Sequence, residues 1–227
     1  MKSDPAAMSR RALLHRAILG AEGLTLAAAL SACSTSEEAV RPSGAATSTP
    51  EARRTILLAY FSRPGENYWY GGRRNLRTGN TEILARMIRE RLDCDVHRIL
   101  AARPYPRDYE QTVERNVREQ DADERPEVAN PLRAIDRYDT ILLASPIWNV
   151  RAPMIMTTFT ESYDFTDKTV HPITTHAMSG LGNTEEDYAR TCRGARIGAG
   201  LAIQGETVRD ASAEGDLEAW LSRVGLG

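Results

Sequence analysis

Residues 55–91 read TILLAYF, SRPGENYWYGGRRNLRTGN, TEILARMIRER: an apolar run of strand length, a glycine- and arginine-rich loop, and a segment with Ile83, Leu84, Met87 and Ile88 on one helical face. The spacing predicts a strand, a loop and a helix in succession. The loop closes on Arg77-Thr78-Gly79-Asn80-Thr81, where hydroxyl and amide side chains meet the backbone N–H groups that a starting helix leaves unbonded. Such an end attracts an anion through its free donors and its dipole. A capped helix after an ordinary loop gives the same letters, so the rest of the chain must decide.

Further strands are expected at residues 94–99, 139–144, 168–175 and about 200–204, with helices between them. The run DTILLA at 139–144 is continuously apolar, as a strand covered on both faces should be. Asp108 is expected to cap a helix presenting Tyr109, Val113 and Val117 at fourfold spacing, and residues 114–125 to form a solvated helix end and a surface loop. Leu217, Trp220, Leu221 and Val224 mark a final amphipathic helix. Strand and helix in alternation give an α/β fold, a doubly wound five-stranded parallel sheet in the order 2-1-3-4-5. Ligands in such sheets bind beyond the carboxyl ends of the strands, and the loops after strands one, three and four are the richest in Gly, Ser, Thr, Asn and aromatics.

Composition sets outer bounds. Of 227 residues, 41% are hydrophobic and 26% charged, the balance of a globular protein. A net charge of −2 gives no footprint for nucleic acid. Residues 55–227 carry 22 of the 29 Lys+Arg and 26 of the 31 Asp+Glu, a net of −4. Three cysteines and four scattered histidines make neither a disulfide framework nor a metal site. Cys94 and Cys192 are expected to be unpaired and structural.

The first 54 residues do not read as fold. Arg10 and Arg11 precede a mildly apolar stretch, 17–30, that ends in Leu30-Ser31-Ala32-Cys33. Residues 1–33 are therefore expected to be an export signal of the twin-arginine type, with Cys33 as a lipidation site in a lipobox-like sequence. An N-terminal extension with a chance match is the alternative. Residues 34–54, rich in Ser, Thr, Ala, Glu and Pro, read as a flexible tether to a domain at 55–227. A lipid there would hold the exported protein at the outer face of the cytoplasmic membrane.

Tyr60-Phe61-Ser62-Arg63, Thr78-Gly79-Asn80-Thr81, Ser145-Pro146-Ile147-Trp148 and Ser179-Gly180-Leu181-Gly182-Asn183, in that order, resemble the bacterial flavodoxin-like family. The resemblance implies bound FMN and a redox function. It places Ser62, Thr78, Gly79, Asn80 and Thr81 at the FMN phosphate, with Arg63 and Arg77 as the nearby charges. Pro146, Ile147, Trp148 and Asn149 would border the isoalloxazine, and Ser179, Gly180, Leu181 and Gly182 would reach its polar edge. Partners implied are a redox protein or a small acceptor such as a quinone or flavin, with NAD(P)H as donor if the protein is a reductase. A flavin-free binding module of the same fold is a third reading.

One departure stands out: residues 64–76 separate Ser62-Arg63 from Thr78-Gly79-Asn80-Thr81, which the short flavodoxin pattern runs together. Tyr68, Trp69 and Tyr70 beside Arg73 and Arg74 fit a cover over the flavin, a second-substrate site, or a surface hairpin. A hydrolase reading of His176 and Ser179 fails, since residues 177–181 lack the first glycine of G-x-S-x-G.

Overall fold

The computed structural model describes residues 55–227; the expected export signal with Cys33, and the expected tether, lie outside the described residues. Strand β1 (Ile56–Tyr60) pairs in parallel with β4 (Asp95–Arg98) on one side and β5 (Thr140–Pro146) on the other. Beyond β5 lies β6 (Thr169–His176), and β6 pairs with both β7 (Arg196–Ile197) and β8 (Leu201–Gln204). The expected order 2-1-3-4-5 is thus present, all parallel, with the fifth position shared by two short strands.

The split has a local cause. Between β7 and β8 the carbonyl of Ala199 accepts from Trp220 Nε1 at 3.0 Å and bonds His171 Nδ1 at 2.9 Å. Gly198 sits so close to the His171 ring that a Cβ would lie 2.7 Å from Nδ1. Two buried polar side chains claim the backbone here, so the ladder breaks.

Residues alternate across β1. Ile56, Leu58 and Tyr60 enter one core with α1 (Asn80–Arg91) and α5 (Ala211–Arg223); Leu57, Ala59 and Phe61 enter the other with α3 (Met154–Glu161) and α4 (Thr184–Thr191). Both faces are covered, which is why β1 and residues 141–144 of β5 are unbroken apolar runs. Each Leu or Ile so buried contributes about 1.5–3 kcal/mol. In α5, Leu217, Trp220 and Leu221 are buried as their spacing predicts.

Helix α2 (Tyr109–Asp121) corrects an expectation. Asp108 does cap it, accepting from Gln111 N at 2.8 Å. Val113 and Val117 nevertheless face outward, and the buried residues are Thr112, Asn116 and Glu119. Arg115 spans to Glu119 at 2.6 Å and stacks on Tyr105, whose hydroxyl donates to the same carboxylate at 2.7 Å. Part of the charge run read as solvated is therefore an internal polar lock.

Candidate functional site

The loops after β1, β5, β6 and β8 meet at the carboxyl rim of the sheet. At α1, Ile83 N bonds Gly79 O, and Glu82 N donates to Ser62 Oγ at 3.0 Å. The amides of Thr78, Gly79, Asn80 and Thr81 have no acceptor among the described residues. Four successive free donors at a helix start form a concave nest for an anion. Gly79 is required for it: a Cβ would collide with Ser62 Oγ and lie 2.5 Å from the Arg63 carbonyl oxygen.

The expected phosphate residues divide. Ser62 and Gly79 are buried beside the nest, and Thr78 and Asn80 are half-buried. The Thr81 hydroxyl is committed to Thr175 Oγ at 2.7 Å inside the core, so only its amide faces the nest. Arg77 is exposed. Arg63 does not border the nest with its charge. Its guanidinium donates to Pro106 O at 2.8 Å, to Arg107 O at 3.1 Å and to Glu66 O, and the residue is 7% exposed. Burial, then the neighbouring Arg107, lowers its pKa from the usual arginine value.

Arg63 is held there by the loop before α2 and by the insertion, a two-stranded hairpin of β2 (Gly65–Trp69) and β3 (Gly72–Leu76). Tyr70 and Gly71 turn with φ of 45° and 83°, both left-handed, the geometry of a tight two-residue hairpin. One face packs on the start of α2: Arg73 lies over the Tyr109 ring at 3.6 Å and pairs with Glu110 at 3.0 Å, and Tyr109 N donates to Glu66 Oε2 at 3.3 Å. The other face carries Trp69 with Arg74 stacked on it at 4.2 Å. The sequence left hairpin and cover equally open; the backbone is a hairpin, and it stands at the rim.

The loops after β5 and β6 interlock. Asn183 N donates to Val150 O at 2.8 Å, Ser179 Oγ to Asn149 O at 3.4 Å, and a Cβ on Gly182 would strike Val150 O. Ile147 N bonds Thr175 O at 2.9 Å and Trp148 N bonds Arg151 O at 2.9 Å, which fixes the first loop. Trp148 stands half-buried and edge-on to Phe61 and Tyr105, with centroids 5.7 and 5.0 Å away. The amides of Asn149, Ser179, Gly180 and Leu181 have no acceptor among the described residues. Pro146, Ile147, Trp148 and Asn149 and the run Ser179, Gly180, Leu181 and Gly182 are therefore brought together, an apolar wall next to free donors.

The flavodoxin family model matches residues 75–224. The chain belongs to the flavodoxin family. A candidate flavoprotein from Bacteroides uniformis is 30% identical, over 70% of this flavodoxin and 98% of that chain, with a TM-score of 0.56. Another, from Bacteroides eggerthii, is 26% identical over 76% and 99%, with a TM-score of 0.58. No curated protein matches.

Sequence reasoning missed two residues of this flavodoxin's rim, both in the loop after β8. Arg209 donates to Asn80 Oδ1 at 2.7 Å and to Thr78 O at 2.9 Å. Glu206, 4% exposed, accepts from Tyr70 N at 3.2 Å and raises the pKa of His176, which burial lowers more strongly. No motif marks them, since only the fold brings residues 206–209 beside 78–80. His176 Nδ1 is buried without a partner, while its carbonyl accepts from Gly205 N at 2.8 Å. His171 is structural, bonded to Ala199 O and edge-on to Trp220. Cys94 and Cys192 are free thiols, and burial pushes the Cys192 thiol up to about 12. Among the described residues no group of His, Cys, Asp and Glu could hold a metal ion.

Proposed function

We propose that the protein binds FMN and transfers electrons at the extracytoplasmic face of the membrane. One observation carries the reading: four successive backbone amides with no acceptor at the start of α1 share a rim with the interlocked loops bearing Trp148 and the Ser179–Gly180–Leu181 amides. A dianionic phosphate suits neutral, preorganised donors in a concave turn. The donor set and the glycine-shaped cradle at Gly79 fit that group. In this reading Thr78, Gly79, Asn80 and Thr81 hold the phosphate by their amides, Ile147 and Trp148 flank the ring, and the 179–181 amides meet its polar edge. FMN, when bound, supplies the redox chemistry; the chain binds, orients and shields it.

The export signal and Cys33 support the membrane-face assignment from sequence alone. In this reading attachment rests on a lipid at Cys33; among the described residues no helix is long and apolar enough to cross a membrane. The partner is a redox protein or a small acceptor, a quinone or a flavin. A second reading, an NAD(P)H-dependent FMN reductase, is favoured by the hairpin, which sets Trp69 and Arg74 at the rim where a second substrate would approach.

Titration of the purified full chain with FMN, followed by absorption and flavin fluorescence, tests the assignment. Saturable binding is expected; a colourless protein with no saturable uptake overturns it. Steady NAD(P)H oxidation with a quinone acceptor would move the protein to the second reading. Mass spectrometry of the mature N-terminus decides whether Cys33 becomes a lipidated first residue.

A further inference from the structure

The loop after β8 is stitched onto the start of α1. Arg209 Nη1 donates to Asn80 Oδ1 at 2.7 Å and Nη2 to Thr78 O at 2.9 Å. Gly205 makes room for this, because a Cβ there would collide with the Asn80 amide nitrogen. Both bonds fix the guanidinium beside the four amides that have no acceptor.

A second cation stands near. Partial burial, and after it the charge of Arg74, which stacks on Trp69, disfavours the charged form of Arg209. Among the described residues neither arginine is in a salt bridge. The acid in the same loop, Glu206, is turned to Tyr70 N instead. Arg73, the neighbouring hairpin arginine, is neutralised by Glu110. Both arginines are exposed, so their mutual repulsion is screened, and both are free to attract an anion seated on the α1 amides.

We propose that Arg209, with Arg74 beside it, reads the charge of the FMN phosphate and makes the site prefer phosphorylated flavin to riboflavin. The inference rests on the FMN-binding reading. Neutral amides would set the position of the phosphate, and the pair from the hairpin and the β8–α5 loop would supply the discrimination. The insertion that interrupts the phosphate loop in sequence thereby returns a residue to it in space.

The test titrates the full chain with FMN and with riboflavin at low and high salt. Arg209→Met is expected to weaken FMN about tenfold or more, as loss of a charge-assisted contact does, to leave riboflavin nearly unchanged, and to flatten the salt dependence of FMN binding. Arg74→Met should act in the same sense with a smaller loss. Arg209→Lys, which keeps charge but not the fork geometry, should retain much of the preference. Equal loss for both ligands in Arg209→Met makes Arg209 a structural latch and overturns the proposal, as does unchanged FMN affinity. Failure of the wild type to bind FMN instead overturns the FMN reading itself, and this inference with it.

Discussion

The amide of Tyr70 donates to the Glu206 carboxylate at 3.2 Å, tying the tip of the β2–β3 hairpin to the loop after β8. The hairpin root is anchored several times over, by Arg63 to three carbonyls and by Arg73 to α2. Its tip has this bond and the exposed Tyr70 side chain. Glu206→Ala should therefore release the tip alone. Amide hydrogen exchange across residues 67–72 is expected to quicken about tenfold, the loss of one hydrogen bond worth about 1.4 kcal/mol. Glu206→Gln keeps an acceptor oxygen and should stay close to wild type. Unchanged exchange in the alanine variant would show that the strand pairing holds the tip without Glu206.

Stability should fall as pH drops from about 7 toward 5. Burial lowers the pKa of His97, His171 and His176 in the folded chain. The unfolded chain takes up these protons near pH 6.5, while the folded chain resists them, so acid favours unfolding below that point. Above about pH 7 both states are neutral and the dependence vanishes. For His176 the Glu206 carboxylate works against burial, so Glu206→Gln should lower its titration midpoint further. Denaturant unfolding against pH, with NMR titration of the imidazoles, checks both. A His176 midpoint that rises in Glu206→Gln would refute the pairing.

The sheet was legible because burial on two faces leaves a plain mark: β1 and residues 141–144 of β5 are continuously apolar, and their alternate residues enter opposite cores. The rim loops were legible from Thr78-Gly79-Asn80 and Ser179-Gly180-Leu181, whose small and polar residues suit backbone used as donor. The face of α2 was not. Val113 and Val117 share a stripe by spacing, but the helix buries Thr112, which donates to Pro106 O and Asp108 O, Asn116, which accepts from Gln120, and Glu119, which is met by Tyr105 and Arg115. Arg63 misled for a related reason: next to the nest in sequence, it is drawn away by one carbonyl of the hairpin, Glu66, and two of the loop before α2, Pro106 and Arg107, which come together only in the fold. Arg209 was invisible because 129 residues separate it from Asn80.

That inversion of α2 can be measured. Glu119 is 2% exposed and satisfies both the Tyr105 hydroxyl and Arg115. Glu119→Ala should cost about 3 kcal/mol, because it strands a buried hydroxyl and a guanidinium together. Glu119→Gln should cost less, keeping an acceptor while losing the charge. Val117→Gln, on the outward stripe, should stay within about 0.5 kcal/mol of wild type. Chemical denaturation of the three variants ranks them, and a Val117→Gln loss larger than that of Glu119→Ala would restore the apolar stripe as the packing face.

Trp148 separates packing from cofactor binding. Its edge-on contacts with Phe61 and Tyr105, at interplanar angles of 87° and 72°, are each worth about 0.5–1.5 kcal/mol beyond the area buried. Trp148→Ala should therefore destabilise the flavin-free protein by about 2–4 kcal/mol, whatever the indole does for the ligand. If the half-buried indole also lies against the isoalloxazine, the same variant should bind FMN more weakly and leave the bound flavin more fluorescent. Trp148→Phe should recover part of both. Loss of stability with native FMN affinity and native fluorescence would confine Trp148 to the Phe61–Tyr105 cluster and move the ring elsewhere on the rim.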